Sequence, residues 1–109
     1  MLYDYIAQAD AQYPNTVDAD TKIKWLESLE AKLRDQLADR IPDGTETVAV
    51  FPYDDIYIEF LKMKIAEKAG DITRYNNYLT QFNSARDELY AYYVRTYTTA
   101  AKAGWKHVL

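Results

Sequence analysis

Apolar side chains recur at intervals of three and four residues over most of the chain, in stretches separated by short breaks. This spacing is typical of amphipathic helices and predicts them over the approximate ranges 2–12, 18–38, 53–69 and 71–99. Asp18 and Asp71 can cap the helices that follow them, and Gly70 can end the third helix. We therefore predict an all-α fold, a small bundle of about four helices in one domain over residues 1–99, followed by a C-terminal tail, 100–109, that we expect to be loose in isolation.

The connection between the second and third predicted helices has a different pattern, because β-branched residues are frequent in it. A Pro-Asp-Gly turn at 42–44 leads into an extended, strand-like stretch at about 44–52. A lone strand leaves its backbone hydrogen-bonding groups unpaired. The stretch is therefore either an extended linker that lies on its own domain, or a strand that pairs with a copy from a neighbouring subunit.

The third predicted helix has apolar residues on two roughly opposite faces. These residues are Ile58, Leu61 and Ile65 on one face, and Ile56, Phe60 and Met63 on the other. Such a helix is either the centre of a small bundle or presents one of its faces to another subunit.

The fourth predicted helix is long for a domain of this size. A helix over 71–99 would measure about 43 Å, whereas a compact domain of this length is about 34 Å across. We therefore expect the helix to overhang its domain by about two turns. Tyr92, Tyr93 and Tyr97 would lie on the overhang, and exposed aromatic groups of this kind often mark an interface.

Two charged residues interrupt otherwise apolar helix faces. Glu30 lies within the apolar stripe of the second helix, and Arg86 lies within the apolar stripe of the fourth. We expect the opposite face of the second helix, which includes Arg34, to be solvated. A lone buried charge is costly, so we predict that Glu30 and Arg86 form a buried ion pair. The alternative is that both side chains reach the rim of the bundle. Asn76 and Asn77 are unfavourable inside a helix and are either exposed amides or bonded to a neighbouring element.

The composition excludes several classes of function. The chain has 109 residues, a net charge of −4 and no cysteine, and its positive residues are not pooled on a basic face. This argues against a sequence-specific nucleic-acid binder, and no apolar run is long enough for a membrane span. The single histidine, His107, has no partner for a metal or catalytic site, and no Gly-rich phosphate loop occurs. We therefore expect no enzyme, no cofactor and no metal, and a soluble protein in the cytoplasm. Eleven tyrosines point instead to protein contacts.

A set of aromatic and amide residues resembles a family of small head–tail connector proteins, also called head-completion or adaptor proteins, of tailed phages and prophages. The resemblance covers roughly residues 17–97, is firmest over 52–83, and rests on Pro52-Tyr53-Asp54-Asp55-Ile56-Tyr57, Leu61, Gly70, Tyr75-Asn76-Asn77 and Phe82-Asn83, with a looser match at Trp25-Leu26 and Leu29-Glu30. It implies an all-helical, non-enzymatic subunit that forms a ring beneath the portal. The ring would extend the DNA channel and carry the tail.

This resemblance implies self-association into a ring, with the portal protein and tail-side neck proteins as further partners. The location would be the host cytoplasm during assembly and then the virion neck. The alternative is a cytoplasmic helical protein–protein adaptor or regulator encoded in a prophage. The candidate interface residues are Val48, Val50, Phe51, Tyr53, Tyr57, Asn76, Asn77, Tyr92, Tyr93, Tyr97 and Trp105.

Overall fold

The structure is a computed structural model that describes residues 2–97. It contains four helices in the order α1 (Leu2–Gln12), α2 (Ala19–Gln36), α3 (Asp55–Ala69) and α4 (Ile72–Thr96). No β-strand occurs within residues 2–97, so the prediction of a small all-α bundle is confirmed. The predicted loose tail, 100–109, and its Trp105 lie outside the described residues.

The helix ends are formed by the residues that the sequence indicates. The side chain of Asp18 accepts a hydrogen bond from the Thr21 N–H at 3.2 Å at the start of α2. Asp71 accepts one from the Arg74 N–H at 3.1 Å at the start of α4. Between α3 and α4, Gly70 adopts a left-handed conformation with φ +73°, which side chains other than glycine rarely adopt.

The core is organised around α3. This helix packs against each of the other three helices, and α4 packs mainly along α3. Residues from both apolar faces of α3 are buried: Ile56, Leu61, Met63 and Ile65. The central position explains the two apolar faces, because each face is covered by a helix of the same chain.

The chain between α2 and α3, residues 37–54, which we call the connecting segment, forms turns and bends rather than a strand. It covers the C-terminal end of α4, where the Tyr93 hydroxyl donates to the Val48 carbonyl and Arg40 donates to the Tyr97 carbonyl. The stretch therefore lies on its own domain, as the linker alternative describes, while the strand alternative and the predicted overhang of α4 are wrong. The reason is the same for each, since the connecting segment folds back on the end of α4 instead of lying extended.

Candidate protein interface

A buried polar network holds the connecting segment against the bundle. Glu30, on the buried face of α2, accepts hydrogen bonds from the Val48 N–H at 2.9 Å and from the Tyr57 hydroxyl at 2.6 Å. The Tyr57 hydroxyl accepts one from the Ala49 N–H at 3.0 Å, and the Tyr93 hydroxyl donates to the Val48 carbonyl at 2.6 Å. The backbone groups of Val48, and the N–H of Ala49, which a strand would offer to a neighbouring copy, are thus paired within the chain.

The tyrosine hydroxyls around this network have raised pKa values. The pKa of Tyr57 lies well above its ordinary value, first because burial disfavours the phenolate and then because the protonated hydroxyl donates a hydrogen bond to the Glu30 carboxylate. Burial also raises the pKa of Tyr93 to about 12. The pKa of Tyr5 is raised to about 12 by burial and by its hydrogen bond to Asp54. All three hydroxyls therefore remain protonated donors near neutral pH.

Two arginines hold the outer parts of the connecting segment. Arg34 donates through Nη2 to the carbonyls of Thr45 at 2.7 Å and Glu46 at 2.8 Å. Arg40 donates through Nη1 to the Tyr97 carbonyl at 2.9 Å, just beyond the end of α4. Carbonyls at a helix end have no partner within the helix, so this contact satisfies one of them and ties the segment to α4.

Between Ala49, whose N–H donates to the Tyr57 hydroxyl, and Tyr53, whose hydroxyl accepts from Arg95, the segment exposes an apolar tip, which we define as Val50, Phe51 and Pro52. The Tyr53 N–H donates to the Val50 carbonyl at 2.6 Å and closes a turn in which the Phe51–Pro52 peptide bond is cis. Phe51 is 86% exposed and Val50 is 40% exposed. A segment that is anchored on both sides therefore presents a large aromatic side chain to solvent.

A tyrosine cluster, defined as Tyr53, Tyr92 and Tyr97, lies beside the tip and packs on the buried Tyr93. The rings of Tyr53 and Tyr92 are 4.7 Å apart, and those of Tyr93 and Tyr97 are 5.3 Å apart. Arg95 donates to the Tyr53 hydroxyl at 3.1 Å at the exposed edge of the cluster. Tip and cluster together form a mixed apolar and aromatic surface with polar groups at its edge, as is common where proteins bind one another.

The structure divides the candidate interface residues into three groups. Val48, Tyr57 and Tyr93 are 0%, 0% and 2% exposed, so their assignment to an interface is wrong. Their side chains complete the core and hold the connecting segment, which leaves no surface for a partner. The exposed candidates are Val50, Phe51, Asn76 and Asn77, and the half-buried ones are Tyr53, Tyr92 and Tyr97. Trp105 lies outside the described residues.

The predicted ion pair between Glu30 and Arg86 is also wrong. Arg86 lies 3.6 Å from Asp87, its guanidinium is 6.0 Å from the centre of the Phe82 ring, and its side chain is 38% exposed. Its long side chain reaches the surface, as the rim alternative describes. Glu30 instead points at the connecting segment, whose N–H groups supply its donors.

Arg34 was not among the predicted site residues, because helical spacing places it on the solvated face of α2. In the structure it is half-buried, one turn after Glu30, with its Nη2 3.7 Å from the Glu30 Oε2. Two sequence signals could have indicated that Arg34 holds the connecting segment. Glu30 and Arg34 have i,i+4 spacing, and the segment that follows α2 lacks backbone partners of its own.

Comparison with protein-family models, with curated proteins and with solved structures gives no match for this chain. Within residues 2–97, no three or more His, Cys, Asp and Glu side chains are grouped so as to hold a metal ion. None of the four helices combines the length and the apolar character that crossing a membrane would require. A functional proposal for this chain therefore has to start from its surface and from the residues themselves.

Proposed function

We propose that this chain is an assembly subunit of a phage or prophage particle, a head–tail connector that forms a ring between the portal and the tail. The observation that carries the proposal is the exposed Phe51 side chain at the end of an anchored segment. Phe51 directly precedes the 52–83 stretch in which the resemblance to connector proteins is firmest, and Tyr53 lies at the start of that stretch. Exposed aromatic side chains on a rigid support are typical anchors of protein interfaces.

A closed ring requires two different contact surfaces on each subunit, because its interface is head to tail. The tip and the tyrosine cluster are one such surface. Ile72, which is 72% exposed at the start of α4, is our candidate for the second. Ile72 and Tyr92 lie about 30 Å apart along the helix at 1.5 Å per residue. The two surfaces are therefore well separated, as a head-to-tail contact needs.

The charge of the chain suits this role. Its net charge is −4, and a subunit of a DNA channel must let DNA pass without gripping the phosphates. In the proposed role the subunit folds in the host cytoplasm and then becomes part of the virion neck. It contacts copies of itself, the portal protein and the tail-side neck proteins, and it performs no catalysis.

Sedimentation velocity and negative-stain electron microscopy over a range of concentrations test the proposal. We expect rings or larger oligomers in concentrated samples, or in samples that contain the portal protein encoded in the same gene cluster. Phe51→Asp should shift the population to monomer. Ser84→Asp, which adds the same charge at an exposed position in the middle of α4, should leave it unchanged.

A chain that stays monomeric at every concentration and with portal protein present would refute the connector role. A stable dimer or a one-to-one complex with another protein would favour the alternative role as an adaptor. The gene neighbourhood provides an independent test, since connector genes lie beside those of portal and capsid proteins in the morphogenesis clusters that the resemblance implies.

A further inference from the structure

A groove of about 630 Å³ lies between the start of α1, α2 and the connecting segment. Its apolar lining comes from Leu2, Tyr3 and Ile23, of which Tyr3 is 57% exposed. The volume falls within the range of about 300–1,000 Å³ found for ligand sites in proteins. Two of its lining residues, Glu46 and Thr47, shortly precede the apolar tip in sequence, but the groove, unlike the tip, is also lined by charged residues.

The charged lining of the groove is mainly acidic. Asp20, Glu27 and Glu46 are exposed carboxylates along it, and among the lining residues that the structure describes Lys24 is the one cation. An occupant that complements this groove therefore combines apolar side chains with positive charge. The tip is a poor match for the groove of a second copy, because Asp54 and Asp55 follow it after one residue and would add negative charge.

The end of the chain has the complementary chemistry. Residues 98–109 contain two lysines, no acidic side chain and three large apolar residues near the end, in the order Lys102, Trp105, Lys106, Val108 and Leu109. We propose that the groove binds this C-terminal segment, residues 102–109, of the same chain. The lysines would face the carboxylates, and Trp105 would lie on the apolar lining.

The path from the end of α4 to the groove is short. The Tyr97 ring is 5.3 Å from the Tyr93 ring, whose hydroxyl lies 2.6 Å from the Val48 carbonyl. Thr47, the preceding residue, lines the groove. The four residues 98–101, which precede the docking segment, span about 14 Å when fully extended, a length comparable with this path. Attachment to the same chain gives the segment an effective concentration in the millimolar range, which favours its own groove over that of another copy.

Paramagnetic relaxation in the full chain tests this docking directly. The chain has no cysteine, so Ala103→Cys introduces a single thiol for a nitroxide label while keeping both lysines and Trp105. We expect the label to broaden the amide signals of Tyr3, Ile23 and Glu27. A second sample mixes chains that carry the nitroxide but no ¹⁵N with ¹⁵N chains that carry no nitroxide. Only contacts between copies cause broadening in this mixture, so we expect none.

Charge reversal at the groove provides the matched comparison. Glu27→Lys combined with Glu46→Lys should abolish most of the broadening, whereas Glu88→Lys, an exposed position on α4 far along the chain from the groove, should preserve it. The dispersion of the amide signals establishes that each variant is folded. Broadening that is absent in the labelled chain, or insensitive to the double reversal, would overturn the proposal. Broadening in the mixed sample would also overturn it, since the segment would then bind a second copy.

A fluorescence measurement covers the possibility that the nitroxide itself disturbs the contact. In Trp25→Phe, Trp105 is the remaining tryptophan. We expect its emission to lie at shorter wavelength than that of a peptide of residues 98–109, and the double charge reversal to move it back to the peptide value. Emission equal to that of the free peptide in the Trp25→Phe chain would contradict docking. Tail docking of this kind requires no ring, so it stands or falls separately from the connector role.

Discussion

Replacing Glu30 by Leu removes the acceptor on which the connecting segment depends. Leucine and glutamate have similar size and helix propensity, so α2 itself should be unaffected. The change eliminates two hydrogen bonds to a buried carboxylate, from the Val48 N–H and the Tyr57 hydroxyl. Hydrogen bonds to charged groups contribute about 1.5–3 kcal/mol each, and the Val48 N–H would stay buried without a partner. We expect the free energy of unfolding to fall by about 3–5 kcal/mol, against about 5–15 kcal/mol for a typical domain.

Urea unfolding followed by circular dichroism measures this loss, and an unchanged m-value shows that the same surface is exposed in parent and variant. Glu88→Leu, the same substitution at an exposed position on α4, serves as the control and should change the free energy of unfolding by less than about 0.5 kcal/mol. Amide exchange adds a local readout. The Val48 amide should be protected in the parent, although it lies outside any helix, and should exchange rapidly in the Glu30→Leu chain.

A double-mutant cycle isolates the contact between Glu30 and Tyr57. Tyr57→Phe removes the same hydrogen bond from the other side, so the double variant should lose about 1–2 kcal/mol less than the sum of the two single losses. A loss below about 1 kcal/mol for Glu30→Leu would refute the network as the main anchor of the segment. Strict additivity in the cycle would refute the direct contact.

Three further outcomes follow from the structure. The free energy of unfolding should fall as the pH rises above about 10, because the raised pKa values of Tyr57, Tyr93 and Tyr5 leave the folded chain with more bound protons than the unfolded chain. When the free energy of unfolding is measured at increasing alkaline pH, the Tyr93→Phe chain should show a shallower fall. Arg86→Met should lower the free energy of unfolding in urea by less than about 0.5 kcal/mol, since the Arg86 side chain is partly exposed and, within residues 2–97, only its neighbour Asp87 is within ion-pair distance. A loss of several kcal/mol would instead support the buried pair. Gly70→Ala should lower thermal stability by about 1–2 kcal/mol through its left-handed backbone alone, because an added Cβ would meet nothing within 4 Å; an unchanged melting temperature would contradict this.

The helices could be predicted closely from local signals. The bounds of α1 match the prediction, and the caps of α2 and α4 are the predicted Asp18 and Asp71. Both the caps and the turn at Gly70 depend on residues a few positions apart, so the information is contained in short stretches. The central position of α3 was one of two alternatives, and the structure decides between them because both of its apolar faces are covered by other helices.

The role of the connecting segment could not be predicted in the same way. Its β-branched residues favour a strand, yet a strand needs a partner strand, and Glu30, Tyr57 and Tyr93 pair its backbone instead. Glu30 and Tyr93 lie 18 and 45 positions from Val48, and Tyr57 lies 8 positions from Ala49. The three side chains come together only when α2, α3 and α4 pack. The partner of Glu30 was predicted wrongly for this reason, since a charge on an apolar face indicates that a partner exists but not which one.

Spacing, capping residues and the glycine turn were enough to establish four helices, the caps of α2 and α4 and the turn at Gly70, because each of these depends on neighbours within one or two helical turns. Which tyrosines are buried, which backbone groups are paired and why Phe51 remains in solvent depended on contacts between distant parts of the chain. Helical periodicity specifies a direction around one helix axis, whereas burial also requires knowing which element occupies that direction, and only the packed structure contains that information.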